Sequence, residues 1–293
     1  GPQSGRALAG FTAPGRAGHR IRVRNSPERA GMSDDLIYDI GANNGDDSAF
    51  YLSKGFRVVA VEADPTLCAA LAERFAAQQA EGRFVIENIG ISDTDETLDF
   101  YVNAFSEWSS FVKDSQATTT HDHHLIRVRT EPLSRLIARH GAARYLKIDI
   151  EGMEQRALST LGPDMALPTF LSFEVNKAWR AIVKHLSGLG YARFQLVRQG
   201  RGFLPDAPDP AREGRSYARR FRNSHSGCVG LDLPDTWLRL ADFMPLMRHE
   251  MAEARARMTR GEPRGWHDIH CRRDRPPAGR AGSTDRTGAG SDP

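Results

Sequence analysis

From Leu36 onward the chain alternates short apolar runs with helical stretches, and that alternation constrains the fold more than any other feature. LIYDIGA, FRVVAVEAD, RFVIENIGIS, ARYLKIDIEG and TFLSFEV are β-branched or aromatic-rich and apolar nearly throughout, as strands covered on both faces are. Between them lie DDSAFYLSKG, PTLCAALAERFAAQQAEG, MEQRALSTLG and KAWRAIVKHLSGLG, which read as helices. Each closes near a glycine (Gly55, Gly82, Gly162, and Gly188 or Gly190), the residue that helix C-termini prefer. TLDFYVN and LIRVRTEP form a more exposed, alternating pair inserted in the middle. Strands alternating with helices of about ten or more residues build a parallel sheet. The expected fold is α/β, a doubly wound, mostly parallel sheet.

Composition sets the boundaries. The net charge of +3 is misleading, because residues 1–33 hold six arginines against Glu28 and residues 272–293 hold five arginines against three aspartates. Removing those +5 and +2 contributions leaves the intervening segment at about −4. Both ends are rich in Gly, Pro, Ser and Arg without hydrophobic period, and are expected to be disordered tails. Folding information is expected to start near Met32, with one domain over 34–271. Within it, 200–271 reads as lid or acceptor-side additions: a polar Pro-rich loop, SGCVGLDLP as a candidate final strand, and a helix at 237–259 interrupted or kinked at Pro245. No stretch approaches the ~18 apolar residues of a membrane span. The three cysteines (Cys68, Cys228, Cys271) are widely spaced and form no CxxC pair, which points to a reducing compartment and a cytoplasmic location.

Ligands in doubly wound sheets sit at the carboxyl ends of the strands. The first strand runs into Asp39-Ile40-Gly41-Ala42-Asn43-Asn44-Gly45, where Gly41 and Gly45 permit a tight turn and close approach of backbone to a ligand. Asn43 occupies the place of the second glycine in the dinucleotide pattern, and Asp39 would repel a pyrophosphate but suit a cationic amino-acid group. The second strand ends Val61-Glu62-Ala63-Asp64. Glu62, roughly 20 residues past the turn, suits ribose hydroxyls. Its alternative role, capping the next helix, fits Asp64 better, as N-cap before Pro65.

Taken together and in order, DIGANNGDDSAFYL, VVAVEAD, ENIGIS, YLKIDIEGME and LSFEVN resemble the FkbM family of S-adenosylmethionine-dependent methyltransferases over residues 36–177. The resemblance implies a class I, Rossmann-like, seven-stranded methyltransferase fold. It also implies methyl transfer to a hydroxyl oxygen, commonly of a sugar, glycan or polyketide-type small molecule. Carried onto this chain, Asp39, Gly41, Asn43 and Gly45 line the methionine part of the cofactor, Glu62 holds the ribose, Asn88 and Ile89 lie near adenine, and Asp149 joins the cofactor site.

An alcohol must lose its proton, to a base or through a metal. Asp149 and Glu151 share a face at the end of the fourth strand, as do Glu174 and Asn176 on the fifth, and all four open on one crevice. Three readings stand: Asp149, Glu174 and Asn176 hold Mg or Mn; the group hydrogen-bonds sugar hydroxyls or the cofactor's ammonium; or it serves structure, in a salt bridge to Lys147 or as a helix cap before Met153. Downstream, Trp266-His267-Asp268-Ile269-His270 offers two imidazoles as base or ligand, against the alternative of a surface turn. Catalytic candidates are thus Asp149, Glu151, Glu174, His267 and His270. Trp108-Ser109-Ser110 is a candidate cofactor or acceptor contact, while His121-Asp122-His123-His124 reads as solvated.

Two other classes are disfavoured. A nicotinamide oxidoreductase conflicts with Asp39 and the missing glycine. A nucleic-acid-modifying enzyme would carry an Asn/Asp-Pro-Pro-aromatic run where Asp149-Ile150-Glu151-Gly152 stands, and a nucleic-acid-binding module would need a basic folded surface rather than basic tails. The expected partner is a small-molecule or glycan acceptor, not nucleic acid.

Overall fold

The computed structural model describes residues 35–274 except 114, 120, 200–203, 205, 223 and 263–265. The expected tails, and the expected start near Met32, lie outside the described residues apart from Arg272–Asp274. Among the described residues ten strands are formed: β1 Leu36–Ile40, β2 Arg57–Val61, β3 Phe84–Glu87, β4 Gly90–Ser92, β5 Glu96–Asn103, β6 His123–Pro132, β7 Tyr145–Ile148, β8 Phe170–Glu174, β9 Tyr191–Arg198 and β10 His267–Arg273. The helices are α1 Asp46–Ser53, α2 Pro65–Arg74, α3 Ala76–Ala80, the short α4 Gln116–Thr119, α5 Leu133–His140, α6 Glu154–Ser159, α7 Trp179–Gly188 and α8 Leu240–Thr259.

Seven strands make one sheet in the order β3-β2-β1-β7-β8-β10-β9. All its pairings are parallel except those of β10, which runs antiparallel to β8 and β9. The chain winds outward from β1 through β2 to β3 and returns to β7 beside β1, so the switch point falls between β1 and β7. A second, three-stranded sheet (β4-β6-β5) projects from the return connection.

The period of two along each strand separates two apolar layers. Leu36, Tyr38, Ile40, Leu146, Ile148 and Phe173 face α5 to α8, packing with Leu136, Leu158, Val183 and Phe243. Ile37, Val58, Ala60 and Tyr145 face the opposite side, against Phe50 of α1 and Leu71 of α2. Among the described residues no helix beyond α1 and α2 packs on that second face; an irregular strap of described residues between 204 and 237 completes the cover. Tyr217 and Phe221 pack edge-on to Phe50, with ring centroids 4.7 and 5.0 Å away. The strap is pinned by a fully buried Lys54–Asp232 ion pair at 2.5 Å and by Arg144 on Glu213.

Several sequence expectations need correction. RFVIENIGIS is not one strand, because the chain leaves the main sheet at Asn88 and β4 pairs with β6. SGCVGLDLP is not the final strand; it holds a single turn of 3-10 helix, Gly230–Asp232, within the strap. The final strand is β10, which extends two residues past the expected domain end at 271. LSRLIARH, unassigned from the sequence, forms α5. Pro245 lies inside α8 and removes one backbone donor there. Among the described residues no helix is long and apolar enough to cross a membrane.

Candidate functional site

A cavity of about 990 Å³ opens at the switch point, lined by the turns after β1, β2, β7 and β8, by the hairpin loop, and by the strap. Its construction begins at Gly41, where φ is +82° and the amide donates to the Val61 carbonyl at 2.9 Å. A Cβ on Gly41 would lie 1.9 Å from the Asp149 carbonyl oxygen, so only glycine lets the two turns close on one another. Asn43 also has positive φ, and its N–H donates to Glu62 Oε2 at 2.8 Å. The other Glu62 oxygen accepts the Asp64 N–H at 2.9 Å. Asp64 is the N-cap of α2, accepting from the Thr66 N–H. Burial raises the Glu62 pKa, with the amide bonds from Asp64 and Asn43 working against it. Glu62 is thus clamped at the cavity wall rather than spent as a helix cap.

The floor is acidic and centred on a buried lysine. Lys147 Nζ lies 3.5 Å from Asp47, 3.6 Å from Asp149 and 3.7 Å from Asp39. Burial alone would lower its pKa; the charges of Asp149, Asp39, Asp47 and Asp268 outweigh that and raise it well above the ordinary value. Beside this hub, Asp149, Glu154 and Glu174 bring carboxylate oxygens within 4.8 Å of one another. Glu154 is saturated: it accepts from the Ile150 and Gly152 amides and from Asn176 Nδ2 at 2.6 Å. Glu174 is raised by burial first, then by the charges of Asp149 and Glu151. Glu151 stands in left-handed backbone (φ +50°), and burial together with Asp149 and Glu154 pushes its carboxyl up to about 8. Strained positions of this kind cost roughly 1–3 kcal/mol and collect at functional sites.

The mouth is built from the hairpin loop and the strap. The loop is tied at both ends: Ser106 Oγ donates to Asn43 Oδ1 at 2.8 Å, and Ser110 Oγ donates to the Glu151 carbonyl at 2.7 Å. Between those ties Trp108 stacks on His121 (centroids 5.0 Å apart, 21° between planes) and meets Phe105 at 5.2 Å. Phe105 is 51% exposed. On the strap side, Ser226 donates its N–H and Oγ to Asp47, each at 2.8 Å, and Ser224 Oγ donates to Asp46.

Of the sequence candidates, Gly41, Asn43, Glu62, Ile89, Asp149, Glu151, Glu174 and His267 line this one cavity, as do Trp108 and Ser109. Five others do not. Asp39 points to the α1 face by the strand period, where it is fully buried, accepts from Ser48 Oγ at 2.6 Å and has its pKa raised by burial. Gly45 packs instead on α2, since a Cβ there would meet Leu71 at 2.5 Å. The Asn88 amide braces the carbonyls of Glu62 and Ala63. Asn176 is committed at both ends, donating to Glu154 and accepting from the Ala178 N–H, so it is no metal ligand as placed. His270 is not in a surface turn: on β10 it is buried beneath the sheet, parallel to the Tyr145 ring, with its pKa pushed down to about 3 by burial. It is therefore no catalytic base.

Sequence reasoning missed Asp268, which pairs opposite Glu174 in the β8–β10 register and accepts from Gln199 Nε2 at 2.8 Å. It also missed Asp47 and Glu154. Asp268 could be found only once WHDIHC was read as a strand, whereas Asp47 had a signal in the paired aspartates opening α1.

Sheet order, a single reversed strand and an acidic cavity at the switch point define a class I methyltransferase fold. The family follows from sequence: the model of the methyltransferase FkbM domain matches residues 39–195, more than half of the chain. The chain belongs to this family of S-adenosylmethionine-dependent methyltransferases. Among solved structures, it is similar to the methyltransferase FkbM of Methylobacillus flagellatus KT, with 16% identity over 61% of this chain and 43% of that one and a TM-score of 0.38. It thus spans less than half the length of that relative. It is also similar to a SAM-dependent O-methyltransferase of Thermotoga maritima (12% identity, 84% of this chain, 62% of that one, TM-score 0.37). A third is a precorrin-6y C5,15-methyltransferase of Geobacter metallireducens GS-15 (10% identity, 83% and 82%, TM-score 0.36). No curated protein sequence matches the chain significantly.

Proposed function

We propose that this chain transfers a methyl group from S-adenosylmethionine to a hydroxyl oxygen of a sugar, glycan or polyketide-type small molecule in the cytoplasm. The observation that carries the cofactor half is the clamped Glu62 beside the close-approach Gly41 turn, above a floor of carboxylates. That donor set fits the group: two acceptor oxygens for a diol, backbone without side chain for close contact, and negative charge for an amine and a sulfonium. Gly41, Asn43, Glu62 and Ile89 would hold it. When bound, the cofactor supplies an electrophilic methyl group on a positive centre.

The chain's part is to place the acceptor hydroxyl and take its proton. Glu151 is the favoured acceptor of that proton, because a base works best with a pKa near the operating pH. Glu174, held neutral, is suited to hydrogen-bond a hydroxyl, while His267 faces the same cavity as the second candidate base. For Mg or Mn, Asn176 and Glu154 are spent on one another and on backbone amides. We therefore read the carboxylates as a hydrogen-bonding and proton-accepting group.

Titration calorimetry tests the cofactor half. S-adenosylmethionine and S-adenosylhomocysteine are expected to bind and NAD not to; NAD binding without a response to S-adenosylmethionine would end this reading.

A further inference from the structure

Among the described residues a lysine and an arginine line the cavity, and their situations are opposite. Lys147 is buried and ringed by three carboxylates. Arg222 is exposed on the strap at the mouth, and no carboxylate among the described residues pairs with it. Its backbone is fixed nonetheless: its N–H donates to His225 Nδ1 at 3.1 Å, and its carbonyl accepts from the His225 N–H at 3.1 Å. Arg219 and Arg220, equally exposed, precede it, and neither has an ion-pair partner among the described residues.

Elsewhere among the described residues some arginines are paired, as with Arg139 on Glu87 and Glu131 or Arg156 on Asp93 and Glu96, and others stand without an ion pair on open surface, as with Arg248 and Arg255; Arg222 is set apart by lining the cavity. An anchored arginine left without a carboxylate at the rim of an otherwise acidic cavity is placed to meet an anion from outside. Guanidinium is the group for this task, since its planar fork matches carboxylate and phosphoryl oxygens. The acidic floor adds a direction, because it repels an anion and would turn the acceptor's charged end outward, leaving its hydroxyl end inward.

We propose that the methyl acceptor carries an anionic group (carboxylate, phosphate or sulfate) and that Arg222, flanked by Arg219 and Arg220, holds that group at the cavity mouth. The inference rests on the methyltransferase reading above and adds the charge class of its acceptor. In use, the anion would fix one end of the acceptor while Glu151 meets the hydroxyl at the other.

The test titrates glucose, glucuronate, glucose 6-phosphate and glucose 6-sulfate by calorimetry into protein loaded with S-adenosylhomocysteine. At least one anionic probe is expected to bind ten times or more tightly than glucose, and added NaCl should weaken it. Arg222→Ala should abolish the preference, while Arg222→Lys keeps part of it. Inorganic phosphate tells whether the anion alone is recognised. Equal or undetectable binding of all four probes, or a preference that survives Arg222→Ala with an unchanged melting temperature, would overturn the proposal. Failure of the wild type to take up S-adenosylhomocysteine would break the methyltransferase reading instead, and the same titrations on unloaded protein would still decide the role of Arg222.

Discussion

The floor and the mouth of the cavity use polar groups in opposite ways. On the floor, charges are committed before any ligand arrives: Lys147 sits among Asp39, Asp47 and Asp149, Glu154 holds two turns, and Glu62 spans two amides. At the mouth, Phe105 and Trp108 stand partly open and Arg222 has no carboxylate partner among the described residues. Buried charges without partners are costly, whereas exposed ones are not. The paired charges of the floor must therefore be finished in the folded chain, with Glu151 and Glu174 shifted toward the neutral form by burial, while the mouth can leave charged groups for a ligand. On the proposed reading, cofactor binding belongs to the first region and acceptor choice to the second.

The sharpest break should come from Gly41→Ala. The added methyl overlaps the Asp149 carbonyl in a left-handed backbone, so the β1 and β7 turns must separate. Cofactor affinity is expected to fall beyond calorimetric detection, with a stability loss on the order of 3 kcal/mol from overpacking and strain. Wild-type affinity in this variant would detach the turn from cofactor binding.

After the loss of cofactor binding at Gly41 comes Lys147→Met, which acts on stability by stranding three carboxylates. Removing one partner of a buried ion pair costs about 3–5 kcal/mol. Burial already favours the protonated form of Asp39. Protonation of the stranded acids should shrink the deficit at low pH, so urea unfolding should show a smaller loss at pH 5 than at pH 7.5. An equal loss at both would mean that packing, not charge, is what Lys147 supplies.

Glu151→Gln probes the seam between the regions. A base must be deprotonated to act, so wild-type turnover should climb to a plateau above about pH 8, and the variant should lose that limb with a fall of about a hundredfold. Stability runs the other way. The folded carboxyl is neutral between 4.5 and about 8, where the unfolded one is ionised. Its contribution is full below 4.5 and is lost as pH rises through 8. Glu151→Gln should flatten that slope. Turnover that falls in EDTA and returns with Mg would move the proton's departure from Glu151 to a metal.

The sequence was most legible where backbone geometry is forced. A glycine turn after an apolar strand and an aspartate before proline each have one comfortable structural reading, and Gly41 and Asp64 stand where that reading puts them, while Glu62, which had two readings, lines the cavity and leaves the cap to Asp64. It was less legible where the outcome depends on which face a side chain takes. Asp39 belongs to the right strand but alternates to the α1 face, and His270 alternates away from His267 in the same way. Such parities can be read only after the strand itself is recognised, and HDIHC, with its charges and imidazoles, lacks the apolar run that marks a strand. The strap was harder still, for Tyr217 and Phe221 cover the sheet without any periodicity to announce it.

The smallest expected effect belongs to Trp108→Ala, and it tests the division most directly. Trp108 lines the cavity, but it is not one of the side chains that hold the glycine turn in place; Ser106 makes the tie to Asn43. Its indole is braced by Phe105 and His121, so the aromatic face is rigid before a ligand lies on it. Loss of one stacking surface is worth on the order of 1 kcal/mol. The acceptor KM should therefore rise about five- to tenfold, with kcat and S-adenosylmethionine affinity nearly unchanged. If cofactor affinity falls instead while the acceptor KM holds, Trp108 belongs to the adenine side. The boundary between committed floor and open mouth would then run beyond the hairpin loop, leaving the strap alone to recognise the acceptor.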